Sequence, residues 1–586
     1  MKLNKTSLAL LLGLGTLVSC EDKLDLTNPN QQTTGTYGYT AADLEEGVIA
    51  AYNHIRMEGS YGRVGYNIDV CRGDEVWNSS QVWYMPFDDL NDPFTDEICM
   101  WSWREWYYTI NVCNFVISRT GGESDADLNE QMKRIKGQVL FLRGLAYYNL
   151  AGYYQTPSLI TDYSQYGTLD GLYGANNTYD EAWDQTESDF KRALELLPTR
   201  NEGGEWAKGR ATKGAAAGFL ARAYMMRHNY NDALTLLKGI IAGTYGTYKL
   251  MANYGDNFRE GPAFENNEES LFEVQFLDKD QQGTDDEWTP VNTSPNATQG
   301  SAIESNFAPG PIGGWADLSA SPWLYNLFKE ERTTDGRLDP RLYWTIGTYE
   351  NDWEGFEFGN VCYTQKMSSD PSTYMVTNNN FGGLPIAKWT HFRTGEYDKV
   401  VTGLRSGINL RLMRYSDVLL RAAECENELN GPTQQAINWI NEVRTRAKLP
   451  ELQLKDFTNK DILFEQIANV ERPKEFGCEF GRGFDLIRWG FFYDNGRLLQ
   501  LKEHGTFRRS NDPSTIKDPV FYENIASDPE LKSSYDTYAP GHEFLPIYQG
   551  TLNANPNLKG NSANDGTDNA PYFREKGWSI HPVVEL

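Results

Sequence analysis

The stretch from Asn409 to Gly490 sets the strongest limit on the fold, because it carries the longest uninterrupted helical pattern in the chain. Across Arg411 to Glu428, residues Tyr415, Leu419 and Ala422 recur at helical spacing with charged residues on the other side, which predicts one amphipathic helix. Asn430 and Gly431 tolerate a left-handed C-cap, and Pro432 suits the first turn of a second helix that places Ala436, Ile440, Val443 and Ala447 on one face. The two make an antiparallel helical hairpin. Lys460 to Phe476 reads as a third helix, which Pro473 should end early or kink. Gly481 and Gly490 then bracket a short helical turn.

The same periodicity returns earlier in the chain. Thr40 caps a helix running to Met57, with Asp43 at the capping-box position and Leu44, Val48, Ala51 and Ile55 on one face. Further helices are predicted at about Asp96 to Arg119, Asp125 to Tyr154 and Tyr179 to Leu197, the last opened by the box Thr178 to Glu181 and stopped by Pro198. Arg210 to Ile241 forms another hairpin, broken near His228 and Asn229, in which Leu220, Ala221, Tyr224, Ala233 and Leu237 fall at tetratricopeptide-repeat spacing. Between Glu58 and Pro93 periodicity fails and Gly, Asn, Asp and aromatics dominate, which predicts a long ordered loop. From Lys249 to about Val400, short apolar runs such as Ser270 to Phe276 alternate with turn residues. The predicted fold class is therefore mostly α, a tetratricopeptide-like helical repeat scaffold with a large irregular, loop-rich insertion carrying a few short strands. In domain terms, residues 1–19 read as a signal peptide, 20–39 as a tether and 40–586 as a single domain. Within that domain helical repeats occupy about 40–248 and 405–490, the insertion about 249–404, and a loop-rich segment 491–586.

A formal charge of -27 makes nucleic acid a poor partner, since binding it needs a basic footprint. The seven cysteines form no close pair, and Cys99 and Cys113 lie about 21 Å apart along one predicted helix. Buried free thiols are the expectation. No Walker loop, dinucleotide fingerprint, His-Glu-x-x-His or Gly-x-Ser-x-Gly occurs, and the six histidines do not cluster, so neither a cofactor nor a catalytic metal is expected. Asn564 to Asp568 is rich in oxygen ligands but lacks the spacing of a calcium loop and reads as a surface turn.

Lys2 and Lys5 precede a short apolar run, Leu8 to Val18, that closes on Leu17-Val18-Ser19-Cys20. The run is short for a membrane span and has signal-peptide flanks. It resembles a bacterial lipobox, whose cleavage would leave Cys20 as an acylated N-terminus, and Glu21-Asp22 resembles an acidic surface-export tag. Met413-Arg414-Tyr415-Ser416-Asp417-Val418-Leu419-Leu420, Ala423-Glu424-Cys425-Glu426-Asn427-Glu428, Glu471-Arg472 and Phe484-Asp485-Leu486-Ile487-Arg488-Trp489-Gly490 together resemble the SusD/RagB family of outer-membrane nutrient-binding lipoproteins. Phe141 to Leu150, Gly209 to Ala216, Glu543 to Tyr548 and Asn555 to Leu558 extend the resemblance over nearly the whole mature chain, with Pro473 and Tyr548 as departures.

Two aromatic groups stand in non-periodic stretches: Trp77, Trp83 and Tyr84 in the first loop, and Trp288 and Trp315 in the insertion. An aromatic in a Gly/Asn/Asp-rich loop can present a flat face to the apolar side of a sugar while nearby polar side chains meet its hydroxyls. Arg72, Asp74, Asn78 and Asp286 are the polar candidates. The resemblance implies a ligand site built from these same two regions. It also implies a surface lipoprotein that binds an oligosaccharide and delivers it to a SusC-like TonB-dependent outer-membrane transporter, a binding protein and not an enzyme. Oligopeptide binding on the same scaffold is the alternative, and a surface glycosidase with two positioned carboxylates is a further one.

Overall fold

The structure is a computed structural model that describes residues 40–78, 81–121, 124–277, 300–308, 314–315, 317–347, 384–391, 406–508 and 531–586. Cys20, Asp286 and Trp288 lie outside these residues.

Eight helices make the frame, and each packs on the next in this order: Ala41–Ile55, Glu97–Arg119, Glu130–Tyr154, Tyr179–Leu196, Lys213–Met226, Tyr230–Ile241, Tyr415–Asn430 and Gln434–Arg446. Helix Tyr230–Ile241 packs directly on Tyr415–Asn430, so the insertion leaves the frame and returns to it at one place. Antiparallel pairing of β2 (Ser270–Val274) with β5 (Leu410–Arg414) closes that gap. A second small sheet joins β1 (Val76–Asn78), β3 (Leu318–Ala320) and β4 (Leu384–Pro385). The fold is mostly α and tetratricopeptide-like.

The caps follow the sequence. Thr40 and Asp43 form the reciprocal box at the first helix, Thr178 and Glu181 do so at Tyr179–Leu196, and Gly431 ends Tyr415–Asn430 with φ 73°. Close helix contact depends on small residues. A Cβ on Gly152 would sit 1.7 Å from the Phe484 ring, so the Phe484 side chain occupies the space that any larger residue at 152 would need. Cys71, Cys99, Cys113, Cys425 and Cys478 are buried free thiols.

Several expectations need correction. Residues 410–414 are strand, and the helix begins only at Tyr415. Every residue of that strand is buried, and its pairing to β2 overrides the local helical spacing. The charged side of the helix is also buried, with Asp417, Arg421 and Glu424 each 3% exposed or less. The stretch after Met57 is not a loop: it contains a π-helical turn at Glu58–Gly62, helix Val64–Cys71 and β1. An element buried on all sides has no polar face and hence no periodicity to read. Beyond Gly490, helix Asn495–His504 went unpredicted because its inward positions are Arg497, Leu501 and His504, two of them polar. Finally, Lys460–Phe476 does not stop at Pro473. It runs through a π-helical turn at Ile467–Glu471 that absorbs the proline before Arg472–Phe476 resumes α geometry. In the segment read as a surface turn, Asn561 caps a short helix, Ser562–Asp565, that Gly566 ends in left-handed geometry.

Candidate functional site

Antiparallel pairing brings the first aromatic stretch to the second. In the β1–β3 register Val76 faces Ala320, Trp77 faces Ser319 and Asn78 faces Leu318. The chain leaving β1 therefore lies beside the chain entering β3, which places Gln81–Tyr84 next to Trp315 and Asp317. The Asn78 side chain closes the turn, donating to the Gln81 carbonyl at 2.6 Å and accepting from its N–H at 3.0 Å. On the other side the Trp315 N–H donates to the Ser305 carbonyl at 2.6 Å, and Asp317 is tied to Asn306 through both backbone (2.8 Å) and side chain (2.6 Å). Asn67, fully buried on helix Val64–Cys71, joins the halves by donating to Tyr84 Oη at 3.1 Å and Asn306 Oδ1 at 2.8 Å.

The result is a cleft of about 300 Å³ lined by Arg63, Val64, Gln81, Trp83, Tyr84, Ile98, Trp101, Asn306, Trp315 and Asp317. Trp83 is 40% exposed, Trp315 is half-buried and Tyr84 forms part of the wall at 4% exposure. Burial pushes the Tyr84 phenol up, so it stays protonated at neutral pH and can donate a hydrogen bond. Arg63 is held by Glu58 at 2.5 Å. Apolar rings beside a few fixed polar groups are the composition of a small-molecule site. Among the described residues no group of three or more His, Cys, Asp or Glu side chains could hold a metal ion.

Trp83, Tyr84 and Trp315 thus share one cleft, and Asn78 shapes its rim from below. Arg72, Asp74 and Trp77 stand elsewhere. Trp77 is 2% exposed, and neither it nor the other two lines the cleft. Arg72 donates to Asp92 at 2.8 Å and to the His542 carbonyl, and Asp74 accepts from Arg482 at 2.6 and 2.8 Å and pairs with His504 at 2.8 Å. These two residues pin the first segment to the C-terminal part of the chain. Sequence reasoning missed Arg63, Gln81, Trp101, Asn306 and Asp317. Trp101 sits on a helix, where a Trp reads as core, whereas Asp317 is two positions from a flagged Trp and could have been proposed on proximity.

The residues that carried the family resemblance lie apart from this cleft, in buried ion networks. Asp417 binds Arg222, Arg421 and Arg472; Asp485 binds Arg421, Arg472 and Arg488; Glu424 binds Arg488 and accepts from the Trp489 indole. Burial works to raise the Asp417 carboxyl, but Arg421, Arg222 and Arg472 outweigh it and hold the group well below the usual carboxylate range. A second network joins Arg414, Arg446, Arg341 and Lys388 to Glu269, Glu475, Glu479 and Asp339. In this chain the residue order that carried the resemblance is thus built into buried ion pairs.

The SusD family model matches residues 268–565, and a second model, described as starch-binding associating with outer membrane, matches residues 23–225. A SusD-like protein of Formosa agariphila is 26% identical over 540 residues, covering 88% of this chain and 95% of that protein. Among solved structures, a SusD-like carbohydrate binding protein of Bacteroides fragilis is 21% identical with TM-score 0.68, over 89% of this chain and 100% of its own. Surface glycan-binding protein A of Bacteroides thetaiotaomicron is 21% identical with TM-score 0.65, over 90% and 100%. With one model matching half the sequence and the fold shared over 89% of the chain, the chain belongs to the SusD/RagB family.

Proposed function

We propose that this chain is a glycan-binding lipoprotein of the outer membrane that captures oligosaccharide in the Trp83–Trp315 cleft and passes it to a TonB-dependent transporter. One observation carries the capture step: two tryptophans from distant stretches meet at one open cleft, held there by the β1–β3 register and the Asn67 bridge. Family membership and the printed descriptions of the relatives, carbohydrate binding and surface glycan-binding, support the ligand class. Among the described residues one carboxylate, Asp317, lines the cleft, where hydrolysis of a glycosidic bond ordinarily uses two, and this lining supports a binding site. Acylation at Cys20 would hold the protein on the membrane, and a lipid-anchored chain gives a polar ligand no route across a bilayer, so delivery requires a transporter beside it.

The test is affinity for a glycan panel with Trp83→Ala and Trp315→Ala. A ring that stacks on sugar contributes on the order of 2 kcal/mol, so each replacement should weaken binding about thirtyfold while the melting temperature holds. Unchanged affinity in both variants would move the site elsewhere.

A further inference from the structure

Apart from the cleft, a cavity of about 90 Å³ lies on the seam between the helical frame and the C-terminal part of the chain, and it shares no lining residue with the cleft. Gln155, Tyr179, Tyr572 and Trp578 in its wall are half-buried, which puts its mouth at the surface. Six aromatic rings among the described residues line it: Tyr179, Tyr493, Phe544, Tyr572, Phe573 and Trp578. They hold one another in place. Tyr179 meets Phe544 and Tyr572 with ring centroids 5.8 Å apart, Phe573 meets Tyr493 and Trp578 at 5.2 Å, and Trp578 stacks on His228 at 4.4 Å.

The polar groups of the wall are already engaged. Asn569 donates to Glu543 at 2.5 Å and to Ser562 Oγ at 3.0 Å, the Tyr493 hydroxyl donates to Glu543 at 3.2 Å, and the Tyr572 hydroxyl donates to Asp180 at 2.9 Å. Arg488, the one charged side chain lining the cavity among the described residues, is bound to Glu424 and Asp485. Gln155 is held under strain. It follows the last residue of helix Glu130–Tyr154 with φ 63° and ψ -58°, and the Thr156 N–H donates across it to the Tyr154 carbonyl at 2.6 Å, a positive-φ γ-turn of a kind that is rare and strained. Two bonds clamp its side chain: Nε2 donates to Asn569 Oδ1 at 2.8 Å, and Oε1 accepts from the Ser562 N–H at 3.2 Å. Strained backbone that its surroundings over-determine is a feature that clusters at ligand sites.

We propose that this cavity is a second binding site, separate from the cleft, for one neutral aromatic ring of the phenol class. The six rings offer flat apolar contact, whereas polar groups that already have protein partners return little to the many hydroxyls of a sugar. A charged guest would shed its water against an arginine that is already paired. The size fits one ring seated at an open mouth, since a closed apolar cavity of about 150 Å³ takes up benzene whole. The proposal stands independently of glycan capture in the cleft.

The experiment titrates the purified protein with phenol, p-cresol and indole, and with glucose, benzoate and benzyltrimethylammonium as comparators, by ligand-observed NMR and calorimetry. It then repeats the series with Tyr572→Ala, Trp578→Ala and Trp83→Ala. The neutral aromatics should bind at least tenfold more tightly than any comparator. Tyr572→Ala and Trp578→Ala should each weaken them at least fivefold, and Trp83→Ala, in the cleft, should leave them unchanged. Should the two cavity variants fail to fold, crystals of the unmodified protein soaked in 4-bromophenol decide the matter, because the anomalous signal of bromine should fall among Tyr179, Tyr572 and Phe573. Absence of binding by all three neutral aromatics would overturn the proposal. So would binding that Trp83→Ala abolishes and the cavity variants leave intact, a comparator that binds equally well with the same dependence on Tyr572 and Trp578, or bromine found only outside the cavity.

Discussion

Asp485 receives three arginines: Arg472 at 2.6 Å, Arg488 at 2.7 Å and Arg421 at 3.2 Å, all buried. Taking these charges out of water is costly, and the arrangement persists because each guanidinium finds several acceptors at once. Burial by itself would raise the Asp485 carboxyl; Arg421, Arg472 and Arg488 instead hold it well below its ordinary value. Removing one member strands the others. Asp485→Asn should therefore cost about 3–5 kcal/mol in stability, measured by denaturant unfolding, without touching the cleft. A loss below about 1 kcal/mol would show that the network is not under this constraint. The cleft residues behave differently, because Trp83 is 40% exposed. Its replacement should alter binding and leave unfolding almost unchanged, which separates the two kinds of aromatic in this chain.

At the scale of elements, helix Glu130–Tyr154 meets the turn that carries Phe484 with no spare volume. Phe484 packs against Tyr148 and Tyr153 with ring centroids 5.0 and 4.8 Å away and lies over Gly152. Gly152→Ala removes the entropic cost of a helical glycine, worth roughly 1 kcal/mol, but forces the Phe484 ring out of its seat. Overpacking of this kind costs about 1–3 kcal/mol, so the expected net effect is a lower melting temperature. A higher one would mean that the ring shifts freely. The β1–β3 pairing is the corresponding element for function. It spans three residue pairs and, with the Asn67 bridge, brings the stretches that carry Trp83 and Trp315 together.

For the whole molecule, buried acids divide into two groups with opposite pH behaviour. Asp417, Asp485 and Glu475 are held well below the usual carboxylate range by arginines that outweigh burial. Their contribution is present above an unfolded pKa near 4 and is lost as pH falls through the folded values. Burial instead pushes Asp69 to about 7, Glu75 to about 8, Asp92 to about 6 and Glu265 to about 7. The native state then holds more protons than the unfolded chain between about pH 4 and 8, so these groups lower stability as pH rises across that window. Melting temperature should peak near pH 5 and decline towards both pH 3 and pH 8; a curve that climbs steadily from pH 5 to 8 would contradict this account. Two further outcomes concern the assembly. Cys20→Ala should release the protein from membranes or leave it unprocessed. Affinity capture from gently solubilised membranes should recover a large barrel protein in near one-to-one amounts, whereas recovery of this chain alone after crosslinking would exclude delivery to a transporter.

The sequence by itself determined the helical frame, because amphipathic spacing, capping boxes such as Thr178 to Glu181 and stops such as Gly431 are local signals that need no partner. It also exposed the family, through a residue order that proves to encode buried arginine–carboxylate networks; such networks need particular residues at particular places, which makes them visible as a motif. Trp83, Tyr84 and Trp315 were legible as aromatics out of place in polar, non-periodic stretches. Only the tertiary structure decided that they meet. The pairing of Asn78 with Leu318 and the bridge from Asn67 to Asn306 join stretches more than two hundred residues apart, and no local pattern records such a register. The same holds for Arg72 and Asp74. Their neighbours in sequence suggested a ligand, but their neighbours in space are Asp92, Arg482 and His504, and a charge buried against its counter-charge serves the fold.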